Sequence, residues 1–177
     1  MTHEYVQTLS SQEKVEFYFN KVDQILATQL YGYDHFPGMY ELEDQEPVLL
    51  ECSGYEGINS VELVDRILTY AVAEMVQALI FETQENHLAL LIVSNSCISG
   101  EKFYHRLLRT KIISRLKLLT SVDPSEKKVP QVGILNISYR SNVYTTRILF
   151  FPQKAGESIV ILPEKPSKKD DNNNYQF

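Results

Sequence analysis

Arg115, Lys117, Lys127, Lys128 and Arg147 are the residues whose types best suit a chemical role. Guanidinium and ammonium groups gathered on one surface bind phosphates, carboxylates or an acidic protein face. The competing reading is a solvated helix face with local ion pairs to Asp123 and Glu126, which contributes little. No aromatic residues interleave with these charges, as stacking on nucleic-acid bases would require. His3, His35, His87 and His105 fall in different segments, and no pair has the i, i+4 spacing of a helical metal site, so no metal is expected. Cys52 would need a histidine and an acid brought beside it by folding before it could act as a nucleophile. Tyr31-Gly32-Tyr33-Asp34-His35 could line a pocket, but reads first as an aromatic loop packed on the core. The sequence has no Gly-x-x-x-x-Gly-Lys-Ser/Thr run, so it lacks the backbone nest and lysine that grip transferring phosphates. No catalytic residue and no cofactor is therefore expected.

The elements that must position these groups follow from apolar spacing. Ser10 and Glu13 form a capping box before a helix over 11–30, with Val15, Tyr18, Phe19, Val22, Ile25 and Leu26 on one side. Pro47 to Cys52 reads as a short strand. Asn59 caps a second helix, with Val61, Val64, Leu68, Ala71, Val72 and Met75 as its stripe. Ala78–Thr83 and Leu88–Cys97 form a hairpin across the polar turn 84–86. A third helix is expected from about Lys102 to Leu119, with Tyr104, Leu108, Ile112, Leu116 and Leu119 inward. Asp123-Pro124-Ser125-Glu126 has the pattern of a one-turn capping box, closed by Val129-Pro130. Gln131–Ser138, Val143–Phe151 and Glu157–Leu162 read as three strands joined by short turns. Consecutive strands with short connections imply an α+β fold: a mostly antiparallel sheet with helices packed on it, in two layers resembling a PAS domain.

The 177 residues are 44% hydrophobic and 23% charged, enough for a sizeable core. No apolar run approaches the roughly 20 residues of a membrane span, and the N-terminus has no signal-peptide pattern, so a cytoplasmic protein without membrane insertion is expected. The net charge of −6 is unevenly spread: residues 1–100 hold 3 Lys/Arg against 16 Asp/Glu, and the remainder 14 against 7. Such a dipole steers partners or favours head-to-tail association, and the acidic total argues against nucleic acid as the main ligand.

Several residues carry a more specific resemblance. Ser114-Arg115-Leu116-Lys117, then Asp123, Glu126, Lys128 and Pro130-Gln131-x-Gly133, resemble a signature of the type II secretion and type IV pilus assembly ATPases (the GspE-like family). In that family the signature lies in the second N-terminal domain, ahead of the nucleotide-binding domain. Glu82 and Gln84-Glu85 fall where its acid-Pro hairpin lies, and Arg147-Ile148, Pro152 and Gly156-Glu157 match its later strands. The resemblance covers roughly residues 60–162.

The departures are as informative. The resemblance implies an arginine that reaches a neighbouring subunit's nucleotide at the position of Ile134, and a second at Arg147, which is retained. An Asp and a His of the family are replaced by Ala78 and Ile80, and its basic positions in the next strand by Ala89, Leu91 and Val93. Strands 78–83 and 88–93 thereby become apolar on both faces. Apolar surface left in water costs about 25 cal/mol per Å², so either the helix 11–30 or a second subunit must cover the extra face. Leu88, Leu90, Leu91 and Val93 are the candidate interface of such a homodimer.

The expected organisation is an N-terminal helix and connector over 1–58, a secretion-ATPase-like domain over 59–163 and a disordered tail over 164–177. The expected role is a non-catalytic interaction or regulatory module, with a secretion or pilus ATPase or its membrane platform as protein partner. The alternative is a PAS-like sensor holding a small molecule or nucleotide between sheet and helices.

Overall fold

The computed structural model describes residues 6, 8–28, 38–50 and 57–168. Helix α1 spans Ser11–Thr28, a three-residue strand β1 spans Met39–Glu41, and helix α2 spans Ser60–Ala73. Strands β2 (Ala78–Thr83), β3 (His87–Ser94) and β4 (Cys97–His105) precede helix α3 (Leu108–Leu119). Strands β5 (Gln131–Tyr139), β6 (Asn142–Gln153), β7 (Gly156–Pro163) and β8 (Ser167–Lys168) complete the order.

The helix starts follow the sequence. Ser10 Oγ accepts from Glu13 N at 3.3 Å and donates to Glu13 Oε1 at 3.0 Å. Asn59 Oδ1 accepts from Val61 N at 2.9 Å and Glu62 N at 3.3 Å, satisfying two of the donors a helix start leaves open. The β3–β4 and β5–β6 turns place Asn95-Ser96 and Arg140-Ser141 at positive φ, the two-residue geometry whose twist matches the flanking strands.

The sheet runs β1-β5-β6-β7-β2-β3-β4, with β8 also paired to β6. Every pairing is antiparallel except β1 with β5. The class is α+β, as the sequence implied, but helices cover both faces and make three layers. On one face α2 and α3 pack on Leu79, Phe81, Leu88, Leu90, Ile148, Phe150, Ile159 and Ile161. On the other, α1 sets Val15, Tyr18, Val22 and Ile25 against Ala78, Ile80, Ala89, Leu91, Val93, Leu149, Phe151 and Val160. The extra apolar face is thus covered by the chain's own N-terminal helix. Leu88, Leu90, Leu91 and Val93 are at most 1% exposed, so the expected self-pairing surface there is not available. Leu88 and Leu90 face α2 and α3, whereas Leu91 and Val93 face α1.

Three expectations are corrected. Residues 97–105 are a strand, and the third helix begins only at Leu108: Tyr104 is buried through its pairing with Leu88, not through a helical stripe. Pro47–Leu50 is not a strand; Leu49 is buried from an irregular segment, while Glu51 and Cys52 lie outside the described residues. Ser167 and Lys168, assigned to a disordered tail, pair with Val143 and Asn142. Among the described residues no helix is long and apolar enough to cross a membrane.

Candidate functional site

Helix α3 buries Leu108, Ile112 and Leu116 against the sheet, and that anchoring aims one of its flanks at the β6–β7 turn. Arg109 lies on this flank, and its Nη1 donates to the Ala155 carbonyl at 2.9 Å. Gly156 sits at φ +139°, where a Cβ would come within 3.2 Å of Thr83 Cγ2 and 3.7 Å of Arg109 Nη1. Only glycine suits both the backbone and the close approach.

The loop after α3 forms the opposite wall. Asp123 Oδ1 accepts from the backbone N and hydroxyl of Ser125 at 2.9 and 2.7 Å. These bonds hold its carboxyl below the usual range. Glu126 Oε1 accepts from Lys128 N and Val129 N at 2.6 and 3.0 Å, which likewise lowers its pKa. The expected one-turn capping box is therefore absent: the Glu126 carboxylate caps forward onto the loop rather than back onto Asp123. Between wall and turn lies a cleft of about 270 Å³, lined by Arg109, Thr110, Ser114, Lys127, Gly156 and Glu157 among others.

The floor of the cleft is a buried ion pair. Lys117 is fully buried; its Nζ lies 3.0 and 2.9 Å from the two Glu157 carboxylate oxygens and donates to the Glu126 carbonyl at 2.5 Å. It also stands 5.5 Å from the centre of the Phe150 ring. Thr83 Oγ1 donates to the Glu157 carbonyl at 2.5 Å, tying β2 to β7 at this end of the sheet. Behind α3, Gly133 allows β5 to pass Thr120, since a Cβ there would stand 2.3 Å from Thr120 Cβ.

A second polar cluster occupies the α1 face at the same end of the strands. Glu82, with no exposed surface, accepts from Tyr18 Oη at 2.7 Å, Lys14 Nζ at 3.0 Å and Gln84 Nε2 at 2.8 Å. Burial alone would raise the Glu82 pKa, but the three donors outweigh it and the net shift is downward. Burial, reinforced by the carboxylate beside it, pushes the Tyr18 hydroxyl upward. This cluster fastens α1 to the sheet.

The five basic residues singled out by sequence do not form one surface. Lys117 is consumed by Glu157. Arg115 Nη2 donates to Tyr40 Oη at 3.1 Å, and that hydroxyl in turn donates to Asp65. Arg147 alternates with Ile148 onto the α1 face and pairs with Glu164 at 3.4 Å. Lys127 and Lys128 are exposed, and only Lys127 lines the cleft. Arg109 was not among the residues singled out by sequence; its bond to Ala155 depends on a turn 46 residues away, which no local pattern reveals. His87 and His105, distant in sequence, are register partners across β3 and β4, with His87 packed edge-on to Phe103 at 4.9 Å. His3, Tyr31–His35 and Cys52 lie outside the described residues.

The polar end of the sheet coincides with the segments that resemble secretion ATPases, and comparison with known proteins bears on it directly. The family described as type II/IV secretion system protein matches residues 56–173, well over half of the chain. The chain belongs to that family. Type II secretion system protein E of Klebsiella pneumoniae is 28% identical over 101 residues, which is 57% of this chain and 20% of that protein. Its counterpart in Dickeya dadantii is 26% identical over 121 residues, 68% of this chain and 24% of that protein. Type II secretion system ATPase E of Vibrio cholerae is 26% identical over 128 residues, 72% of this chain and 25% of that protein. The chain thus spans a quarter or less of these curated relatives. Glu82, Lys117 and Glu157, which brace one end of the sheet from both sides, all fall within the matched residues.

Proposed function

We propose that this chain is a non-catalytic accessory module of a secretion or pilus-assembly machine, acting on the cytoplasmic side through protein–protein contacts. The observation that carries this reading is the outward side of α3 and its following loop. Arg106, just ahead of α3, Lys111 and Lys128 are exposed, alongside Leu107 at 48%, Leu118 at 67% and Val129 at 54% exposure. Exposed leucines among lysines and arginines suit an acidic partner surface with a small apolar centre. The polar residues matched to the family act as internal struts, which supports a rigid scaffold rather than a reaction centre.

The partner is expected to be a secretion or pilus ATPase or its membrane platform. Co-purification of the full chain with such an ATPase tests it. Charge reversal at Lys111 and Lys128 should weaken the complex about tenfold or more and steepen with falling salt. An ATPase that ignores the chain, or binds both variants equally, removes this reading. A sensor of PAS type would need space between sheet and helices. There the side chains are packed at 0–8% exposure, and the cleft lies instead at the sheet's end.

A further inference from the structure

We infer that the cleft between α3, the 123–127 loop and the β6–β7 turn is a binding site for a small phosphate- or carboxylate-bearing molecule. The site stands apart from the partner surface proposed above, because Lys111, Lys128 and Leu118 do not line it.

Charge is the first argument. Arg109 and Lys127 face the cleft from opposite walls. The carboxylates nearby are already engaged: Glu157 is neutralised by Lys117 from beneath, while Asp123 and Glu126 are turned onto their own loop's N–H groups. Arg109 and Lys127 thus line the opening as its two cations, and the lining carboxylate Glu157 is paired with Lys117. Pre-organisation is the second. Among the described residues, Arg109 is held by the Ala155 carbonyl, to which its Nη1 donates at 2.9 Å. A guanidinium fixed at one nitrogen keeps its remaining N–H fork for an incoming anion and loses little freedom on binding. The hydroxyls of Thr110 and Ser114, both exposed, line the same opening and add neutral donors.

Size limits the ligand. A cleft of about 270 Å³ sits just under the range of roughly 300–1,000 Å³ typical of small-molecule sites. It suits one phosphate or dicarboxylate group with a short carbon skeleton, and it is too small for a dinucleotide.

The test is a chemical-shift titration of the full chain with inorganic phosphate, glycerol phosphate and citrate, with sodium chloride as the ionic-strength control. Saturable shifts centred on Lys127, Ala155 and Gly156 are expected for at least one probe. Each of Arg109→Gln and Lys127→Gln should weaken binding about tenfold or more, the effect of losing one charged hydrogen bond. Lys111→Gln, on the same helix but outside the cleft, should bind as the unaltered protein does. Lys127 is exposed, so its variant keeps the fold and carries the test even if Arg109→Gln loosens the turn. The organic probes distinguish a site for free phosphate from one that needs a carbon skeleton. Absence of saturable shifts up to about 20 mM, where affinity is too weak to matter, overturns the inference. So does undiminished binding to Lys127→Gln. Neither outcome bears on whether a secretion ATPase binds the α3 surface.

Discussion

Both faces of the sheet bury a lysine–carboxylate pair at the same end of the strands, and they do so under different conditions. On the α3 face Lys117 has no exposed surface and Glu157 only 6%. The lysine is surrounded by the carboxylate, a carbonyl and a phenyl ring, and has no path to water. On the α1 face Glu82 is the enclosed partner, while Lys14 keeps 14% exposure and Tyr18 and Gln84 share the carboxylate. One pair is a sealed strut between a helix, a loop and a strand; the other is a clasp with a solvent-facing end. The clasp fastens a single helix, and the strut stabilises the side that carries the cleft.

The largest expected effects separate strut from clasp. Glu157→Ala leaves an unpaired buried ammonium and should cost about 3–5 kcal/mol, whereas Lys14→Ala leaves the enclosed Glu82 carboxylate still hydrogen-bonded by Tyr18 and Gln84 and should cost less, about 1–3 kcal/mol. Urea unfolding measures both, and equal losses would erase the distinction. Next comes the attachment of α1. Ile25→Ala should cost about 2–5 kcal/mol and raise binding of a hydrophobic dye as Ile80, Leu91 and Val93 become accessible. Hydrogen exchange of the unaltered chain should show α1 opening at lower free energy than α2 and α3; exchange at the same level throughout would mean the layers form one unit. Gly133→Ala should cost about 1–3 kcal/mol by overpacking. Thr120→Ala should not rescue it, because the contact is with the Thr120 Cβ itself.

The smallest effect is the clasp's share of the pH dependence, to which the lowered carboxyls of Asp123 and Glu126 also contribute. Burial opposes ionisation of Glu82, but its hydrogen bonds bring the folded value below the ordinary 4.5. A carboxyl with a depressed folded pKa contributes stability that is complete above the unfolded value. That contribution is lost as pH falls through 4.5 towards the folded value. Glu82→Gln should therefore flatten the acid limb of the stability curve below about pH 4.5, while Lys14→Ala should leave part of it. An unchanged acid limb would show that the clasp contributes no charge-dependent stability.

The legible parts of the fold were those with a local cause. The caps at Ser10 and Asn59, the alternation through 131–163 and the turn at 84–86 each arise from residues within a few positions of one another. Helix α1 was visible as an amphipathic stripe, and the doubly apolar 78–93 segment showed that something must lie over it. Strand β4 was misread because Tyr104 satisfies both a period-2 and a helical pattern with Leu108 and Ile112, and no capping side chain marks the start of α3 at Leu107. Strand β1 was missed because three residues are too few to show a period. Of the candidate site, Lys127 was recognised and Arg109 was not. Lys117 was assigned to a surface, although it pairs with a carboxylate 40 residues away.

The sequence alone determined that this chain has an antiparallel α+β core, resembles the secretion ATPases and carries one more apolar sheet face than two layers can hide. Those properties follow from side-chain period, turn chemistry and transfer free energy, all of which act over short stretches. Only the tertiary structure decided that α1 covers the extra face, that the basic residues are divided between internal struts and open surface, and that Arg109 and Lys127 meet across a cleft. A charge becomes a strut or a site according to whether folding brings it a partner and removes its water, and both depend on residues far away in the chain.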